Sequence, residues 1–588
     1  MIKFQTLFLF LLLIFHSKAN HCITKITIDS NLCLLKNNEN LLPLDLLNRK
    51  IINVSYGDSL SAFKDEIQLY ASVEHVENSH LHLASREMGF NDILLVTFNL
   101  NERRMDSTFA SHIKNSLNRT HKEKVIAVFF GYHEDPSELP IQNVDALVLS
   151  PKNNFENQQQ VAEIIFGSIG ISSQHTQYGL SLSTKPNGRL RFSTPEKEGL
   201  NPNSFDKIGT IVNHAIEEGA FPGCQILVAS KGSIIYRESF GKHTYNEDSK
   251  EVLNSDVYDI ASITKIASST LIAMYLEHRN MLDIDDTLGK YIPELTENTP
   301  FAKLKIREML AHQSGLKSWI PFYLKTMSNW ELKDNLYRTK PDSVFSIEVA
   351  NNIYLKSDYP QTMYKRILST KLGAKKYKYS DLCYYFTQKV FERIMNQNQE
   401  TFIHEMIYEP LGLRNIRYLP LKYFKKERIV PTQNDTLFRK QLIHGYVHDP
   451  GAAMLGGVGG HAGVFSNTTD LASIMQLFLN HGEYAGQKLF TEKLIKDYTR
   501  KQYDKNRRGA GFDRPREKGG GTCDVLASQS SFGHSGFTGA LAWADPKYDI
   551  IFIFLSNRVH PDQDNWKIRD MNIRTDIQHL VYQVLGAE

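Results

Sequence analysis

Cysteine is scarce in this chain of 588 residues, which contains five: Cys22, Cys33, Cys224, Cys383 and Cys523. So few thiols over such a length exclude a small fold held together by a disulfide framework. One Cys22–Cys33 bridge is open to the sequence, and the odd count leaves at least one thiol outside any pairing within the chain. No neighbouring sequence favours a cysteine nucleophile, so the chemistry is sought in other residues.

An excess of charge of either sign is also missing. The chain has 68 Lys and Arg against 65 Asp and Glu, a net charge of +3. Nucleic-acid-binding domains are typically strongly basic, so we expect no nucleic-acid partner and interpret basic runs such as 421–428 as solvated surface. The hydrophobic share of 41% and the charged share of 23% are typical of globular proteins and exclude wholesale disorder.

Long apolar runs are absent except at the N-terminus. There "LFLFLLLIF" (7–15) follows the positive "MIK" and precedes "SKA" (17–19), which has small residues where a signal peptidase reads them. The run is too short to span a bilayer comfortably. We predict a signal peptide over residues 1–19, no transmembrane segment, and a periplasmic or secreted protein. A lipid anchor at Cys22 is a minor alternative, because "KANHC" lacks the usual lipoprotein signal residues.

From residue 22 to about residue 182, apolar runs alternate with polar stretches. "SLSAFKDEIQLYASV" and "FENQQQVAEIIFGSI" have helical spacing. Near-continuous apolar runs are typical of strands buried on both faces of a parallel sheet, and they occur here at 50–57, 92–100, 124–131 and 144–150. We therefore predict an α/β N-terminal layer domain. The sequence of this region contains no phosphate-binding glycine loop, metal-ligand cluster or nucleophile motif.

Residues 183–204 have the composition of a linker, and a region of different pattern, 205–588, follows. It begins with the helix-like "FDKIGTIVNHAIEEG" and continues with two strand-like segments joined at Lys231-Gly232 as a hairpin. It closes with two strands about the "DP" turn within 539–557 and a helix from about Arg574. Strands at both ends and helices between them predict an α+β domain with one antiparallel sheet and a helical region.

The stretch "ASITKIASST" (261–270) places Ser262 three residues before Lys265. Residues three apart share a helix face, so the serine oxygen and the lysine amine can meet there. An amine beside a serine is a candidate base for a nucleophile. The S-x-x-K pattern alone is weak, because an ordinary exposed Ser/Lys pair on a helix gives the same match.

Two further motifs follow in a fixed order: Tyr379-Ser380-Asp381, then His534-Ser535-Gly536 directly before a strand. Together with Ser262 and Lys265 they match S-x-x-K, Y-x-N or S-D-N, and K-T-G of serine β-lactamases and penicillin-binding proteins. Residues 190–588 thus resemble the class C β-lactamase-like serine hydrolases, a β-lactamase/transpeptidase-like fold. Reading Ser380-Asp381-Leu382 as S-D-N is an alternative register, and we prefer the tyrosine register.

The resemblance implies a role for each residue. Ser262 is the nucleophile, and Lys265, if neutral in apolar surroundings or beside another cation, is its base. Tyr379 acts as a phenolate-like base or as a relay to the leaving group. The backbone N–H groups of Ser262 and Phe537, next to Gly536 and Ser535, form the oxyanion hole. No metal and no cofactor is expected.

The sequence departs from the family pattern at two positions. His534 replaces the K-T-G lysine that holds a substrate carboxylate, and Asp381 replaces an asparagine. Both changes remove attraction for an anionic β-lactam or a terminal D-Ala carboxylate. Asp381 is expected to favour a substrate N–H or a cation such as Lys265. The alternative for His534 is a strand histidine that faces away from the site.

Other histidines lie in or beside these motifs. His444 and His448 are four apart, a spacing that binds zinc on a helix, but the following segment is too rich in glycine to be helical. We therefore expect no metal. Gly460 and His461 are predicted to line one wall of the pocket, with close backbone approach allowed by the glycines, and the segment around His560 another.

Residues 22–182 resemble the C-terminal α/β domain of family 3 glycoside hydrolases through "LCLLKNNENLLPL" (32–44), "DALVLSPKNNFENQQQVAEIIFGSIGISSQ" (145–174) and "YGLSLS". Those enzymes carry their main catalytic machinery on a preceding barrel. No barrel precedes here, so the domain is expected to be non-catalytic and to serve docking or sugar binding.

The substrate follows from resemblance alone. Similar pairs of domains are associated with cutting the amide between N-acetylmuramic acid and its peptide, so a muropeptide amidase is the first hypothesis. The second is a broad esterase or a D-Ala carboxypeptidase related to β-lactamases. The third, of another class, is a non-catalytic glycan- or wall-binding protein. The expected partner is a small-molecule or muropeptide substrate, with contact to cell-wall glycan.

Overall fold

The structure is a computed structural model that describes residues 29, 31–57, 59–77, 87–100, 123–132, 142–172 and 181–587, and the backbone of four residues between 175 and 180. The predicted signal peptide (1–19) and Cys22 lie outside the described residues. Export and the Cys22–Cys33 bridge therefore remain predictions.

The first sheet contains six strands in the described part of the chain, in the order β1-β6-β5-β4-β2-β3. Strands β2 to β6 pair in parallel, and β1 pairs antiparallel with β6 at one edge. The bounds are β1 Cys33–Asn37, β2 Ile51–Tyr56, β3 Val73–Glu77, β4 Ile93–Asn99, β5 Lys124–Phe130 and β6 Ala146–Ser150. The four apolar runs are confirmed as β2, β4, β5 and β6.

Both faces of this sheet are buried, which is why its strands are so continuously apolar. On one face, residues such as Leu95 and Val128 pack with Phe63 and Ile164 of two helices, Ser61–Tyr70 (α1) and Phe155–Phe166 (α2). On the other face the neighbouring residues of the same strands form a second cluster. The edge strand β3 was not predicted, because its sequence, VEHVE, is mostly polar and exposed.

The second sheet joins the two ends of the remaining chain. Its strand order is β10-β11-β12-β8-β9-β7, antiparallel except where β7 pairs in parallel with β9. The bounds are β7 Arg191–Phe192, β8 Gly223–Ser230, β9 Ser233–Gly241, β10 Phe532–Ser535, β11 Leu541–Asp545 and β12 Ile550–Ser556. The predicted hairpin at Lys231-Gly232 is confirmed, and both residues have the positive φ that a two-residue hairpin turn requires.

The second sheet is the middle layer of a sandwich of helices. Along β12, Phe552 and Phe554 face the helices Asp206–Glu217 (α3) and Ile573–Val584 (α9), while Ile551 and Ile553 face the helical region on the other side. This alternation follows from the two-residue period of a strand. The longer helices of this part are α3 Asp206–Glu217, α4 Thr270–His278, α5 Tyr359–Leu368, α6 Leu382–Met395, α7 Thr468–Leu479, α8 Glu492–Thr499 and α9 Ile573–Val584.

Shorter elements complete the described chain. Helices of four or five residues are Leu288–Tyr291, Pro293–Thr296, Ile306–Leu310, Gln399–Ile403, Pro450–Ala453 and Lys567–Asp570. Short strands pair Tyr258–Asp259 with Phe465–Ser466, Met327–Ser328 with Glu331–Leu332, Gln433–Asp435 with Gln441–Ile443, Glu483–Tyr484 with Gln487–Lys488, and His175–Thr176 with Gly179–Leu180. Tyr337–Arg338, Ile347–Ala350 and Ile353–Leu355 form a three-stranded sheet. Among the helices described, none has the length and apolar character needed to cross a membrane.

The two sheets are connected by buried contacts within the predicted linker. Arg189 is buried and donates to the backbone carbonyls of Leu44, Asp45 and Phe166. Arg191 forms an ion pair with the buried Glu163 at 2.8 Å. These residues tie the first sheet and α2 to β7, so the passage with linker composition is a packed part of the structure.

Candidate active site

Ser262 lies in a tight helical turn, Ala261–Ile263, that follows the short strand Tyr258–Asp259. Ala261 has φ of +46°, an uncommon conformation for a residue with a side chain, and its N–H donates to the Asp259 carboxylate at 2.8 Å. The turn is of the 3-10 type, and Lys265 begins the π-helical turn Lys265–Ser269 that follows it. The two side chains meet, with Lys265 Nζ 2.9 Å from Ser262 Oγ.

Lys265 is completely buried, and its Nζ contacts three acceptor groups. It lies 2.9 Å from Ser262 Oγ, 3.1 Å from the carbonyl oxygen of His461 and 2.7 Å from Asp381 Oδ1. Burial is the largest influence and lowers the pKa of Lys265, but Asp381 and Tyr379 together outweigh it, so the net pKa is raised. The sequence analysis made a neutral Lys265 conditional on apolar surroundings or a second cation, and in the structure a carboxylate faces it instead.

Tyr379 approaches Ser262 from the opposite side. Its hydroxyl donates to Ser262 Oγ at 2.9 Å. Burial raises the pKa of Tyr379, although Lys265 and Arg508 act in the lowering direction. The resting side chain is a neutral phenol. Of the two roles predicted for Tyr379, this favours the proton relay to the leaving group over the phenolate-like base.

The segment that holds Tyr379 and Asp381 is pinned to residues 312–318. Ser380 N donates to His312 Nδ1 at 3.2 Å, and its hydroxyl donates to the Lys317 carbonyl at 2.6 Å. The His312 ring packs on the Tyr379 ring with centroids 4.4 Å apart. Burial and the nearby cations lower the pKa of His312 well below its usual value, so a neutral imidazole supports the phenol. His312 was not predicted as a site residue.

The third motif lies beside the nucleophile turn at the edge of the second sheet. A Cβ at Gly536 would stand 2.6 Å from the Ile260 carbonyl oxygen, so only glycine permits this approach. Thr538 Oγ1 donates to the Asp259 carbonyl at 2.8 Å, and Arg558 Nε donates to the Phe537 carbonyl at 2.8 Å. These contacts hold Phe537, whose side chain is half-exposed, and Ser535 close to the segment that carries Ser262.

His534 is buried and faces the site, which excludes the strand histidine that points away. Its Nδ1 lies 2.7 Å from the Ser535 carbonyl oxygen and its Nε2 lies 3.2 Å from Arg508 Nη1. Burial, followed by the charges of Arg508 and Lys265, lowers the pKa of His534 to about 3. The ring is neutral at pH 7 and accepts from Arg508 through Nε2.

Arg508 was not predicted from the sequence. It is buried, stands 3.4 Å from the Asp513 carboxylate through Nε, and lies over the Tyr379 ring at 5.2 Å. A permanent positive charge therefore stands behind the position of the missing K-T-G lysine. The inference that the site has lost its attraction for a substrate carboxylate stays a prediction, and Arg508 is a cation near the site that the sequence analysis did not anticipate.

Asp259 is a second buried residue that the sequence analysis did not single out. Its two carboxylate oxygens accept from the N–H groups of Ala261 and His448, at 2.8 and 2.7 Å, and its carbonyl accepts from Thr538. Burial raises its pKa to about 6. One residue thus fixes the nucleophile turn, the loop at His448 and the third motif relative to one another.

Gly460 and His461 contribute backbone more than side chain. The His461 carbonyl accepts from Lys265, while its buried ring bonds Asp449 at 2.9 Å and stacks on Tyr385. A Cβ at Gly460 would stand 2.4 Å from the Tyr384 carbonyl oxygen. The predicted wall is therefore a close backbone contact behind Lys265.

The remaining histidines are separated. His444 Nε2 lies 2.7 Å from the Ile429 carbonyl oxygen, His448 packs against the Phe537 ring, and His560 packs against Tyr245. In the part of the chain that the structure describes, no group of three or more His, Cys, Asp or Glu side chains is arranged to hold a metal ion.

A polar cavity of about 410 Å³ lies next to the site and shares His448 with it. Its lining combines amides and carboxylates, such as Gln433, Asn434 and Asp562, with the rings of Tyr323 and Phe438. Amides and carboxylates bind hydroxyl groups, and aromatic rings pack on apolar faces. The cavity has room for a substituent of sugar size.

Comparison with known proteins gives the family. The model of the beta-lactamase family matches residues 208–572. A protein of Escherichia coli (strain K12) named "Putative D-alanyl-D-alanine carboxypeptidase" is 30% identical over 400 residues, which are 63% of this chain and 86% of that protein. One of the same name from Salmonella agona (strain SL483) is 28% identical over 410 residues, 64% of this chain and 88% of that protein.

A solved structure, a penicillin-binding protein homologue from Caulobacter crescentus, is 18% identical with a TM-score of 0.47 and covers 66% of this chain and 99% of that one. The family match alone spans more than half of the chain. The chain belongs to the beta-lactamase family and is a serine hydrolase of that family. The resemblance stated from the three motifs is confirmed at this level.

Proposed function

We propose that this serine hydrolase forms an acyl-enzyme on Ser262 and cleaves the amide between N-acetylmuramic acid and its peptide in cell-wall muropeptides. The observation that carries the proposal is the position of Ser262 Oγ, 2.9 Å from both Lys265 Nζ and Tyr379 Oη. Two proton-carrying groups on one serine oxygen are the arrangement that nucleophilic catalysis needs.

The charge states indicate how the proton moves. Lys265 is a cation at rest, so it must first lose a proton before it can accept the one from Ser262. That proton leaves to solvent, and Asp381, 2.7 Å from Nζ, opposes its loss through its negative charge. Tyr379 then delivers its own proton to the leaving amine and regains one from Lys265.

The oxyanion that develops on the attacked carbonyl is assigned to the N–H groups of Ser262 and Phe537. Gly536 supports this assignment, because the absence of a side chain lets the third motif lie against the nucleophile segment. Losing one such donor costs roughly 10²–10³ in rate. The acyl-enzyme is then released by water.

The surroundings of the site fit a substrate with two different ends. The cavity beside His448 offers amides, carboxylates and aromatic rings to a neutral, hydroxyl-rich group. Arg508, behind His534, attracts a carboxylate. A muropeptide has a sugar on one side of the scissile amide and a carboxylate-bearing peptide on the other, which supports the proposal.

A D-Ala carboxypeptidase is the second candidate. It is favoured by Arg508, since a terminal D-Ala carries a carboxylate, and by the names of the similar proteins from Escherichia coli and Salmonella agona. The two candidates share the nucleophile and the acyl-enzyme and differ in the bond that is cut.

We further propose that the N-terminal layer is the family 3 glycoside hydrolase C-terminal-like domain predicted from the sequence, and that it is non-catalytic. The predicted division is 22–182, a linker at 183–204, and the hydrolase domain at 205–588. Export to the periplasm or beyond, with removal of residues 1–19, belongs to the same proposal.

The test is mass spectrometry of the products that the purified protein, lacking residues 1–19, forms from a muramyl-pentapeptide. Free pentapeptide and intact N-acetylmuramic acid are expected, and loss of the terminal D-Ala alone would establish the second candidate. The Ser262→Ala variant is the matched control and is expected to form neither product. An unchanged substrate with wild-type protein that a fluorophosphonate probe still labels at Ser262 would contradict both choices of substrate.

A further inference from the structure

A cavity of about 620 Å³ lies between the first sheet region and the hydrolase region, away from Ser262. Four arginines line it: Arg189, Arg237, Arg414 and Arg428. One ionisable acid, Asp470, is part of the lining, and its pKa is raised by burial. We call this space the arginine cavity.

Two of the arginines hold the regions together. Arg189 donates to carbonyls of the first sheet region, and Arg414 donates to the carbonyls of Gln68 and Leu69 at 3.0 and 3.1 Å. Backbone carbonyls accept most of the hydrogen bonds that these two arginines donate and so hold their side chains in place. Their positive charge is not cancelled by these carbonyls, which carry no net charge.

The other two arginines, Arg237 and Arg428, donate few hydrogen bonds within the protein. Arg237 makes one long contact, 3.5 Å to Thr469 Oγ1, and lies over the Phe192 ring. Arg428 bonds Asn415 Oδ1 at 2.7 Å and the Ser255 carbonyl, and its buried Nε has no hydrogen-bond partner. A guanidinium offers five N–H donors in a planar fork that fits carboxylate and phosphate oxygens.

Buried arginines elsewhere in the protein commonly meet carboxylates. Arg191 pairs with Glu163 and Arg439 with Asp435, each at 2.8 Å, and Arg508 lies 3.4 Å from Asp513. Arg558 instead donates to backbone carbonyls. Within the described residues, no carboxylate oxygen lies within 4.0 Å of the guanidinium nitrogens of the four cavity arginines. Since charges in the interior of a protein are normally paired, the guanidinium groups of this cavity are suited to bind an external anion.

We propose that the arginine cavity binds an organic anion of about the size of a sugar or dipeptide, whose phosphate or carboxylate group lies between Arg237 and Arg428. The volume is in the range of small-molecule pockets and far exceeds that of an inorganic ion. The rings of Phe192, Phe424 and Tyr423 line the same space and suit an organic body. The ligand would bridge the two regions, because Gln68 and Ser72 of the first also form the lining.

The test is isothermal titration calorimetry of the full chain with three probes on one sugar skeleton: glucose 6-phosphate, glucuronate and glucose. We expect one site per chain for at least one of the two anions, weakened by salt, and no binding of glucose. The anion that binds more tightly identifies the charged group. If neither anion binds, or if glucose binds equally well, the proposal is overturned.

Variants locate the site. Arg237→Gln combined with Arg428→Gln is expected to weaken anion binding by at least about tenfold, while turnover of a neutral ester at Ser262 is unchanged and shows that the variant is folded. Arg393→Gln, at an exposed arginine paired with Glu294, is the matched control and should bind as the wild type does. Binding that survives the double variant but is lost in Arg508→Gln would place the anion in the active site and contradict the proposal.

Discussion

The catalytic cluster and the arginine cavity both hold buried cations, and they differ in what faces the charge. In the catalytic cluster, Lys265 faces Asp381 at 2.7 Å and Arg508 faces Asp513. In the arginine cavity, Arg237 and Arg428 face a hydroxyl, an amide and carbonyl groups. Asp381 fixes the proton and the position of Lys265, whereas we propose that Arg237 and Arg428, which have no carboxylate partner among the described residues, receive an external anion.

This comparison bears on how each region works. In the proposed mechanism, the pair Lys265–Asp381 keeps the base protonated until reaction begins, so Ser262 is not activated in the resting enzyme. In the arginine cavity, by our proposal, a bound anion supplies the counter-charge that the described residues do not. The two proposals thus assign a cation to proton transfer in one region and to anion binding in the other.

The largest effect is expected at the nucleophile. Ser262→Ala should lower turnover of any accepted ester or amide by at least about 10⁴-fold, because no acyl-enzyme can form. Thermal unfolding should stay close to that of the wild type, since Ser262 is only partly buried. Steady-state kinetics on 4-nitrophenyl acetate provides the measurement, and residual activity above one per cent would contradict the role of Ser262.

Lys265→Met tests the paired cation directly. It removes the only proposed base that contacts both Ser262 and Asp381, and we expect a loss of about 10²–10⁴ in rate, the usual contribution of general acid–base catalysis. The double variant Lys265→Met, Asp381→Asn should be more stable than the single one, because it leaves no unpaired carboxylate beside the buried chain. Equal activity of Lys265→Met and wild type would contradict the role of Lys265 as the base for Ser262.

Arg508→Gln tests whether Arg508, the second cation in the site, attracts a substrate carboxylate. We expect KM for a substrate with a free carboxylate to rise by about 10- to 100-fold, as for the loss of one charged hydrogen bond, while KM for a neutral ester changes little. The ratio of kcat/KM for the two substrates is the quantity to measure. A loss shared equally by both substrates would assign Arg508 to support of the fold.

The free energies of unfolding of two single variants compare the catalytic cluster with the arginine cavity. Asp381→Asn leaves the fully buried Lys265 without its counter-charge and should lower the free energy of unfolding by about 1–3 kcal/mol. Arg237→Gln removes a cation that has no carboxylate partner, so it should be neutral or stabilising in ligand-free protein. Chemical denaturation in phosphate-free buffer measures both, and the opposite order would contradict the comparison.

The smallest expected effect is a displacement of the pH profile. Asp381 raises the pKa of Lys265, so Asp381→Asn should lower it and make the neutral amine available at lower pH. The acid limb of kcat/KM against pH is therefore expected to move to lower pH in this variant. Asp381→Glu keeps the negative charge and is the control, in which the limb should move much less.

Much of the fold could be predicted because the signals are local. The apolar runs of β2, β4, β5 and β6 and the Lys231-Gly232 turn depend on neighbouring residues only. Strand β3 was missed because an edge strand need not be apolar, and β1 because its antiparallel pairing depends on a distant partner. The short strand β7 was hidden by the linker-like composition around it.

The catalytic residues could be predicted because their motifs occur in a fixed order, but their charges could not. The charge state of Lys265 depends on its contact with Asp381, more than a hundred residues away in the sequence. Arg508 lies 26 residues before His534 in a segment without a recognisable pattern, and only the folded chain brings them within 3.2 Å. The arginine cavity likewise exists only where two regions meet.

The most direct test of the central claim is to trap the acyl-enzyme. Wild-type protein is mixed with 4-nitrophenyl acetate, quenched in acid and digested, and the acetylated peptide is identified by mass spectrometry. The account predicts one acetyl group on Ser262 that appears before steady state and fails to accumulate in Lys265→Met. Acetylation of any other residue during turnover, or steady-state turnover without acetylation of Ser262, would contradict it.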